Sequence, residues 1–276
     1  MSFAAALALL ALAPPSNPRV EAGLAPRQIP PGRWVADRDD GQCAVLRRTT
    51  DEPARTIALQ LGPGSGLVRV LVFDAGWRRA AVRNRRRVEL GFGGESVSSP
   101  KWVSGIESAG EYGFAFDMID AALLDRLAES EVLTVRERGS SLLELALPSA
   151  RTAVQALREC EEAALRTWGV DVAARARLKR QARPVEPLFR LFSYLDYPAT
   201  ALAKRVSGRV TVRLVIGKDG RVATCAVAES AGDPLLDRHT CTLLAKRARF
   251  EPALGPDGRP AEGTSVARVT WAVPRH

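Results

Sequence analysis

The chain has 276 residues, enough for two domains of ordinary size that each bury a core. Hydrophobic residues make up 46% and charged residues 26%, a balance that excludes collagen-like, mucin-like and wholly disordered chains as well as proteins with several membrane spans. Forty Lys and Arg against 31 Asp and Glu give a net charge of +9, which favours anionic partners such as nucleic acid, phospholipid or acidic peptide.

The chain begins with an uncharged apolar segment, residues 1–13, with the sequence MSFAAALALLALA. It is shorter than the roughly 20 apolar residues that span a membrane, and it ends in the small-x-small pattern of a secretory cleavage site. We interpret it as a signal-peptide-like segment that directs export, with a buried N-terminal helix or a misassigned start as the alternatives. Residues 14–31 are Pro-rich and unpatterned, which predicts an exposed leader.

Residues 32–170 are predicted to form a β-rich α+β domain, because short β-like segments alternate with Gly, Pro and Asp: WVAD, CAVLRR, TIALQL, VRVLVF, VELGF and EYGFAFDM. After Asp117 the apolar spacing becomes helical in MIDAALLDRLAES, and the strands EVLTVRE and SSLLELALP follow. We expect a closing helix capped by Ser149 and stopped by Gly169. Its inward stripe consists of Val154, Leu157, Ala164, Leu165 and Trp168.

Residues 171–190 carry six Lys or Arg against two acids and are interpreted as a basic linker to a second domain, residues 191–276. In that domain GRVTVRLVI, a GKDG turn and RVATCAVAES predict a β-hairpin. Asp233 and Pro234 then fit the N-cap and first position of a helix. Its expected inward stripe is Cys241, Leu244, Ala245 and Ala248, and a last strand, TSVARVTWAV, follows.

The four cysteines are Cys43, Cys160, Cys225 and Cys241. An even count in an exported chain, without CxxC spacing, is typical of disulfides rather than of a zinc or redox site. Three connectivities are possible. We favour a Cys225–Cys241 bridge, because the helix returning over the hairpin brings these residues together, which leaves Cys43–Cys160 to tie the closing helix of the first domain to an early strand.

Several short motifs occur in a fixed order between residues 190 and 274: Tyr-Pro, Gly-x-Val-x-Val, Asp-Gly-Arg-Val, Glu-Ser-Ala-Gly-Asp-x-x-Leu-Asp and Arg-Phe-Glu-Pro-Ala. In this order they resemble the C-terminal domain of TonB-type energy transducers. The resemblance implies a small antiparallel sheet with helices on one face, located in the periplasm of Gram-negative bacteria. No family motif identifies the N-terminal domain.

The resemblance also implies a binding role, because the last strand of that family pairs with an extended peptide of an outer-membrane receptor plug. Strand addition of this kind takes its affinity from main-chain hydrogen bonds. Carried over by position, the partner-binding residues are Ser265, Val266, Ala267, Arg268, Val269, Thr270, Trp271, Ala272 and Val273. An open edge is consistent with docking, whereas the charge of Arg268 is equally consistent with a device that blunts unwanted pairing.

Full energy transducers carry an N-terminal membrane helix and a long spacer rich in Pro and Lys. The apolar start and the 20-residue linker of this chain match neither feature. Force transmission from the inner membrane is therefore not predicted, and association with that membrane is expected only if the signal-peptide-like segment is uncleaved.

The densest charge run lies between Arg78 and Arg87, with the sequence RRAAVRNRRR. It is a candidate contact for anionic lipid or lipopolysaccharide, and no nucleic-acid module surrounds it, so a nucleic-acid partner is not predicted. A solvated loop is the alternative interpretation. The residues concerned are Arg78, Arg79, Arg83, Arg85, Arg86 and Arg87.

No pattern predicts catalysis, a cofactor or a metal site. The segments GPGSG and GFGG lack the continuation of a phosphate-binding loop, and His239 has no assignable nucleophile or orienting acid. We therefore predict a periplasmic, non-enzymatic TonB-like protein that binds a receptor peptide in TonB-dependent transport. An envelope structural or anionic-surface-binding protein without energy transduction is the alternative, and the oligomeric state, a dimer included, stays open.

Overall fold

The computed structural model describes residues 26–39, 42–62, 64–83, 88–92, 95–97 and 103–273. The signal-peptide-like segment and residues 14–25 of the leader lie outside the described residues. The prediction of an exposed leader is wrong at Ile29, which is buried in a cluster with Ala44, Leu46 and Ala58. The described helices are α1 (Arg79–Arg83), α2 (Leu123–Glu129), α3 (Ala150–Thr167), α4 (Val172–Ala176), α5 (Ala199–Ala203) and α6 (Pro234–Arg247). Single turns of 3-10 helix lie at Pro26–Gln28, Leu188–Leu191 and Tyr194–Asp196.

The strands of the N-terminal domain are short and antiparallel. They are β1 (Trp34–Asp39), β2 (Gln42–Arg48), β3 (Arg55–Gly62), β4 (Leu67–Asp74), β5 (Val88–Phe92), β6 (Glu95–Val97), β7 (Val103–Ser108), β8 (Glu111–Asp120), β9 (Val132–Glu137) and β10 (Ser140–Ala146). One sheet has the order β1-β2-β3-β4-β8-β7 and the other β10-β9-β5-β6. Inward-facing residues of both sheets share one hydrophobic core with the inner face of α3.

A disulfide between Cys43 on β2 and Cys160 on α3 closes this domain, with 5.8 Å between the two Cα atoms. It is the pairing favoured by the sequence. Closing a loop of this length restricts the unfolded chain by about 4 to 5 kcal/mol in the chain-entropy account. The bridge therefore fixes α3 to the large sheet, and with it the residues at the C-terminal end of α3.

The C-terminal domain is a three-stranded antiparallel sheet with α6 packed on one face. Its strands are β12 (Gly208–Ile216), β13 (Val222–Glu229) and β17 (Gly263–Trp271), and the order is β13-β12-β17. Two small ladders pair β11 (Arg183–Pro184) with β14 (Phe250–Glu251), and β15 (Ala253–Leu254) with β16 (Pro260–Ala261). The mixed α+β fold class is confirmed.

The predicted hairpin and helix of this domain are present. Residues Val210, Val212, Leu214 and Ile216 are fully buried on one face of β12, as the alternation predicts. The Asp233 carboxylate accepts from the N–H groups of Leu235 and Leu236 at the start of α6. Leu244 and Ala248 are buried and Cys241 packs against the core as predicted, whereas Ala245 is exposed and its place in the inward stripe is wrong. The buried face of α6 also includes Leu236, Thr240 and Leu243.

Two helix predictions in the N-terminal domain need correction. Met118 and Ile119 continue strand β8, and α2 begins only at Leu123, because the strand pairs with β4 as far as Asp120. Ser149 precedes α3 in a left-handed conformation, and its side chain makes no capping hydrogen bond. Gly169 does follow the end of α3 with a positive φ of 69°, as a helix stop requires.

Residues 171–190 are ordered on the surface of the C-terminal domain rather than acting as a free spacer. Arg183 and Pro184 pair with Glu251 and Phe250, and the Ala182 side chain is buried in the C-terminal core. The charge of this segment predicted a basic linker; Ala182 in the core and ion pairs of Arg180 and Arg183 with Glu251 attach it instead. The two domains are in direct contact where Val266 packs with Leu165 and Trp168.

Candidate functional site

The predicted partner-binding segment coincides with edge strand β17. The strand pairs with β12 over its whole length, from Gly263 opposite Ile216 to Trp271 opposite Gly208. On its other side, no strand of the described residues pairs with it. Such a strand presents main-chain N–H and C=O groups that a further strand can use. Ala272 and Val273 follow the strand, and the Val273 N–H donates to Ser207 Oγ at 3.1 Å.

The side chains of β17 are held on both faces of the sheet. Ala267, Val269 and Trp271 lie in the C-terminal core beneath α6. On the opposite face, Val266 packs with residues at the end of α3, so it too is buried. Thr270 is exposed. A partner at this edge would therefore meet main-chain groups more than side chains.

Trp271 anchors the end of β17. Its indole N–H donates to Thr240 Oγ1 on α6 at 2.9 Å. The rings of Phe192 and Tyr197 pack edge-on against it, at 5.8 and 5.3 Å between centroids. Tyr197 of the Tyr-Pro motif also donates to the Val206 carbonyl. These contacts fix the position of the strand end, and they give the motif a packing role.

His239 belongs to the same anchor. Its ring lies 5.8 Å from that of Trp271, and its Nε2 is 2.8 Å from the carbonyl oxygen of Asp196. Both contacts support packing rather than chemistry. In the described part of the chain, no three or more His, Cys, Asp or Glu residues are grouped to hold a metal ion.

The second disulfide, Cys225–Cys241, joins β13 to α6, with 5.7 Å between the Cα atoms. It is again the pairing that the sequence favoured. The bridge closes a loop over a sequence separation of 16, which restricts the unfolded chain by about 3 kcal/mol. It therefore supports the sheet from the strand farthest from β17.

The first half of β17, residues 263–266, is in contact with the N-terminal domain. Gly64, in the turn between β3 and β4, lies so close that a Cβ added there would be 3.2 Å from the Val266 nitrogen and 3.5 Å from the Ser265 Cα. Its φ of +69° and this proximity both favour glycine over any residue with a side chain. Val266 in turn packs with Leu165 and Trp168 at the end of α3.

Arg175 on α4 connects the Gly64 turn of the N-terminal domain to strand β17. Its buried guanidinium donates to the carbonyl of Gly64 at 3.1 Å and to that of Thr264 on β17 at 2.9 Å. It also lies 3.7 Å from the Glu161 carboxylate of α3, which accepts from the Gly64 N–H at 3.0 Å. One side chain therefore satisfies main-chain groups of both domains.

Burial dominates the electrostatics of this junction. It raises the pKa of Glu161, and the Gly64 N–H and the Arg175 charge oppose this shift. Burial likewise lowers the pKa of Arg175, with Glu161 acting in the opposite direction. The two charges compensate each other, so losing either one would leave its partner poorly solvated.

A second polar cluster lies on the outer face of the sheet. The Arg268 guanidinium carbon is 5.9 Å from the centre of the Trp168 ring. The Glu229 carboxylate belongs to the same cluster, and its proximity to Trp168, together with Thr211 and Arg268, lowers its pKa. Thr211 donates to the same carboxylate at 2.7 Å. The single charge within the predicted segment is thus turned towards the N-terminal domain.

Only some of the six arginines predicted to contact an anionic surface lie among the described residues. Arg78 and Arg79 are exposed, and Arg79 begins α1. Arg83 is the last residue of that helix, and its side chain is not described. Arg85, Arg86 and Arg87 lie outside the described residues. The anionic-surface interpretation of this run stays a prediction.

Sequence reasoning missed the domain junction. Arg175 lies in a run of basic residues and resembles a solvated charge, and Gly64 lies in a segment interpreted as an ordinary turn. A weak signal did exist, because Leu165 and Trp168 continue the apolar stripe of α3 to its very end. A helix face that remains apolar beyond its own core indicates another packing partner.

Comparison with known proteins identifies the C-terminal domain. Residues 193–273 match the family described as Gram-negative bacterial TonB protein C-terminal, which confirms the resemblance seen in the motifs. That family is an envelope-associated, non-enzymatic interaction domain, and the match supports a TonB-like role in envelope transport. No curated protein matches the chain. Among the described helices, none has the length and apolarity needed to cross a membrane.

Proposed function

We propose that this protein acts in the periplasm, in TonB-dependent transport, by binding an extended peptide of an outer-membrane receptor through strand addition to β17. The observation that carries the proposal is the unbroken register of β17 on β12, next to an edge that no described strand covers. A regular edge of this kind offers evenly placed donors and acceptors. The family match to residues 193–273 supports the same role.

The contacts of Gly64 and Arg175 limit where the peptide adds. At Thr264–Val266 the main chain of β17 is already engaged by Arg175 of α4 and by the Gly64 turn of the N-terminal domain. The second half of the strand and the residues that follow, 267–273, include the exposed Thr270 and Ala272. At about 3.3 Å per residue, this stretch accommodates a short peptide strand rather than a long one.

The direct test is binding of a fluorescent peptide from the N-terminal plug segment of a TonB-dependent receptor, followed by anisotropy. Placing proline at the centre of the peptide removes a main-chain donor, so affinity should fall about tenfold or more if pairing is through the main chain. An unchanged affinity would contradict strand addition.

A protein-side pair of variants locates the edge. Thr270→Pro on β17 should weaken binding, whereas Thr224→Pro on β13, an exposed threonine on the other edge of the same sheet, should not. Thermal unfolding of both variants shows whether each still folds. The opposite pattern would assign the peptide to β13.

A further inference from the structure

Exposed large hydrophobic side chains concentrate in one short segment. In the described part of the chain, four of the six lie within residues 185–195: Val185 at 56%, Phe189 at 64%, Tyr194 at 57% and Leu195 at 91%. The other two, Val132 and Val227, lie on separate strands. Concentrated apolar exposure of this kind marks an interaction surface, whereas scattered exposure does not.

This segment is held around the C-terminal end of α6. The Val185 N–H donates to the Arg249 carbonyl at 2.9 Å, and Arg247 Nη1 donates to the Leu191 carbonyl at 2.6 Å. Arg247 also makes a bidentate ion pair with Asp196, at 2.6 and 2.8 Å. The four exposed side chains therefore project from a fixed backbone. We name Val185, Phe189, Tyr194 and Leu195 the apolar patch.

The charge beside the apolar patch is positive. Lys246, in the last turn of α6, and Arg249, just after it, are exposed, whereas Arg247 and Asp196 neutralise each other in their ion pair. Glu186 is the one exposed carboxylate in residues 185–196. Aromatic and aliphatic side chains beside Lys and Arg are the composition with which proteins bind the interface of an anionic bilayer.

We propose that the apolar patch docks on an anionic phospholipid bilayer, with its side chains entering the interface and Lys246 and Arg249 facing the headgroups. Two features favour a bilayer over a protein partner. Phe189, Tyr194 and Leu195 project from two single turns of 3-10 helix, and all four patch side chains are more than half exposed, unlike residues set in a preformed interface groove. The positive rim matches the negative leaflet.

Docking in this orientation would also place β17 at the membrane. Phe192, which lies between Phe189 and Tyr194 in the chain, and Tyr197, which follows Leu195 by two residues, pack directly on Trp271 at the end of β17. The bilayer proposal does not depend on peptide binding, but it would bring the peptide-binding edge to the surface from which a receptor plug is reached.

The test is sedimentation with vesicles of phosphatidylcholine alone or with added phosphatidylglycerol. The full chain should bind the anionic vesicles, and binding should weaken as salt rises. Phe189→Ser with Leu195→Ser should reduce the partition coefficient about tenfold or more. The matched control, Val132→Ser with Val227→Ser, changes two exposed hydrophobic residues outside the apolar patch and should bind like the parent.

A fluorescent label reports insertion directly. All four native cysteines form disulfides, so a thiol-reactive, polarity-sensitive dye on Leu195→Cys reacts at one site. Its emission should shift to the blue on anionic vesicles, whereas the same dye on Val132→Cys should not shift. Equal binding by the patch variant and the parent, or no binding of the parent to either vesicle, would overturn the proposal.

Two other outcomes would assign a different binding surface or a different partner, and either would overturn the proposal that the apolar patch binds a bilayer. Loss of vesicle binding in Arg78→Gln with Arg79→Gln, but not in the patch variant, would assign lipid binding to the arginine run. Self-association of the full chain that the patch variant abolishes, without vesicle binding, would assign the apolar patch to a second copy. Peptide anisotropy on the patch variant should be unchanged without vesicles, which separates this proposal from the proposed function.

Discussion

The two edge strands of the C-terminal sheet are built in opposite ways. β17 keeps a one-to-one register with β12 along its nine residues. β13 is interrupted twice, so that Ala223 and Ala228 have no partner opposite them on β12. Bulges twist a strand and break the even spacing of its outer groups, and natural sheets use them to protect edges. Of these two edges, β17 is the one suited to accept another strand.

The side chains of β13 and β17 also differ in how far they are exposed. Most of β13 is exposed, and Val227 keeps 42% of its surface in water. β17 buries Val266 against the N-terminal domain and Trp271 against α6. β13 thus exposes side chains on an irregular backbone, whereas β17 hides its side chains and leaves a regular backbone. The difference indicates that recognition at β17 depends on the main chain.

The largest expected effect comes from truncating one side chain on each edge strand. Trp271→Ala should lower the free energy of unfolding by about 3 to 5 kcal/mol, because it empties a site that several rings fill. Val227→Ala on β13 should change it by less than about 0.5 kcal/mol. Urea unfolding followed by circular dichroism measures both. Similar losses would mean that the two strands contribute alike.

Removing the disulfide of β13 should be the next largest effect. Cys225→Ala with Cys241→Ala should lower the free energy of unfolding by about 3 kcal/mol, since the loop of the unfolded chain is no longer closed. Amide exchange should accelerate in β13 and α6 more than in β17. The control, Cys43→Ala with Cys160→Ala, should leave exchange in the C-terminal sheet unchanged, and faster exchange there would show that the domains unfold together.

Arg175→Ala tests what distinguishes the two halves of β17. The variant leaves the carbonyls of Gly64 and Thr264 without their donor, and it should lower stability by about 1 to 3 kcal/mol. Amide exchange at residues 264–266 should rise, and β13 should be unaffected. Arg177→Ala, an exposed arginine beside α4, is the matched control. Unchanged exchange at 264–266 would show that Arg175 does not hold this half.

The smallest effect concerns the ion pair between Arg247 and Asp196, which holds residues 191–196 against the end of α6. Hydrogen bonds from Arg247 lower the pKa of Asp196 well below its ordinary value. A lowered pKa stabilises the fold above the unfolded pKa of about 3.9, and this stabilisation is lost as pH falls below that value. Asp196→Asn should therefore be less stable than the parent by a constant amount from pH 7 down to about pH 5, and the difference should shrink progressively as pH falls below about 3.9. A difference in melting temperature that is constant with pH would contradict this assignment.

Much of the C-terminal domain could be predicted from its sequence, because its elements are specified locally. The alternation in β12 and the Asp233-Pro234 start of α6 each act within a few residues. The Cys225–Cys241 pairing followed from placing that helix over the hairpin. The position of β17 at the edge followed from the family motifs rather than from its composition.

The junction between the domains could not be predicted, because it depends on contacts between residues distant in the chain. Arg175 bonds Gly64 across 111 positions, and nothing near either residue indicates the other. The same holds for the apolar patch, since exposure of Leu195 is a property of the folded surface. The predicted boundary between β8 and α2 was wrong for a different reason, because the pairing of β8 with β4 overrides the helical spacing of the apolar residues.

Chemical-shift mapping of the full chain with the receptor plug peptide tests the central claim most directly. If the peptide adds to β17, the backbone amides of residues 267–273 should shift most, those of 264–266 should follow only in Arg175→Ala, and those of β13 should stay in place. Shifts confined to β13 or to the N-terminal domain, or no shifts at saturating peptide, would contradict the assignment of β17 as the binding edge.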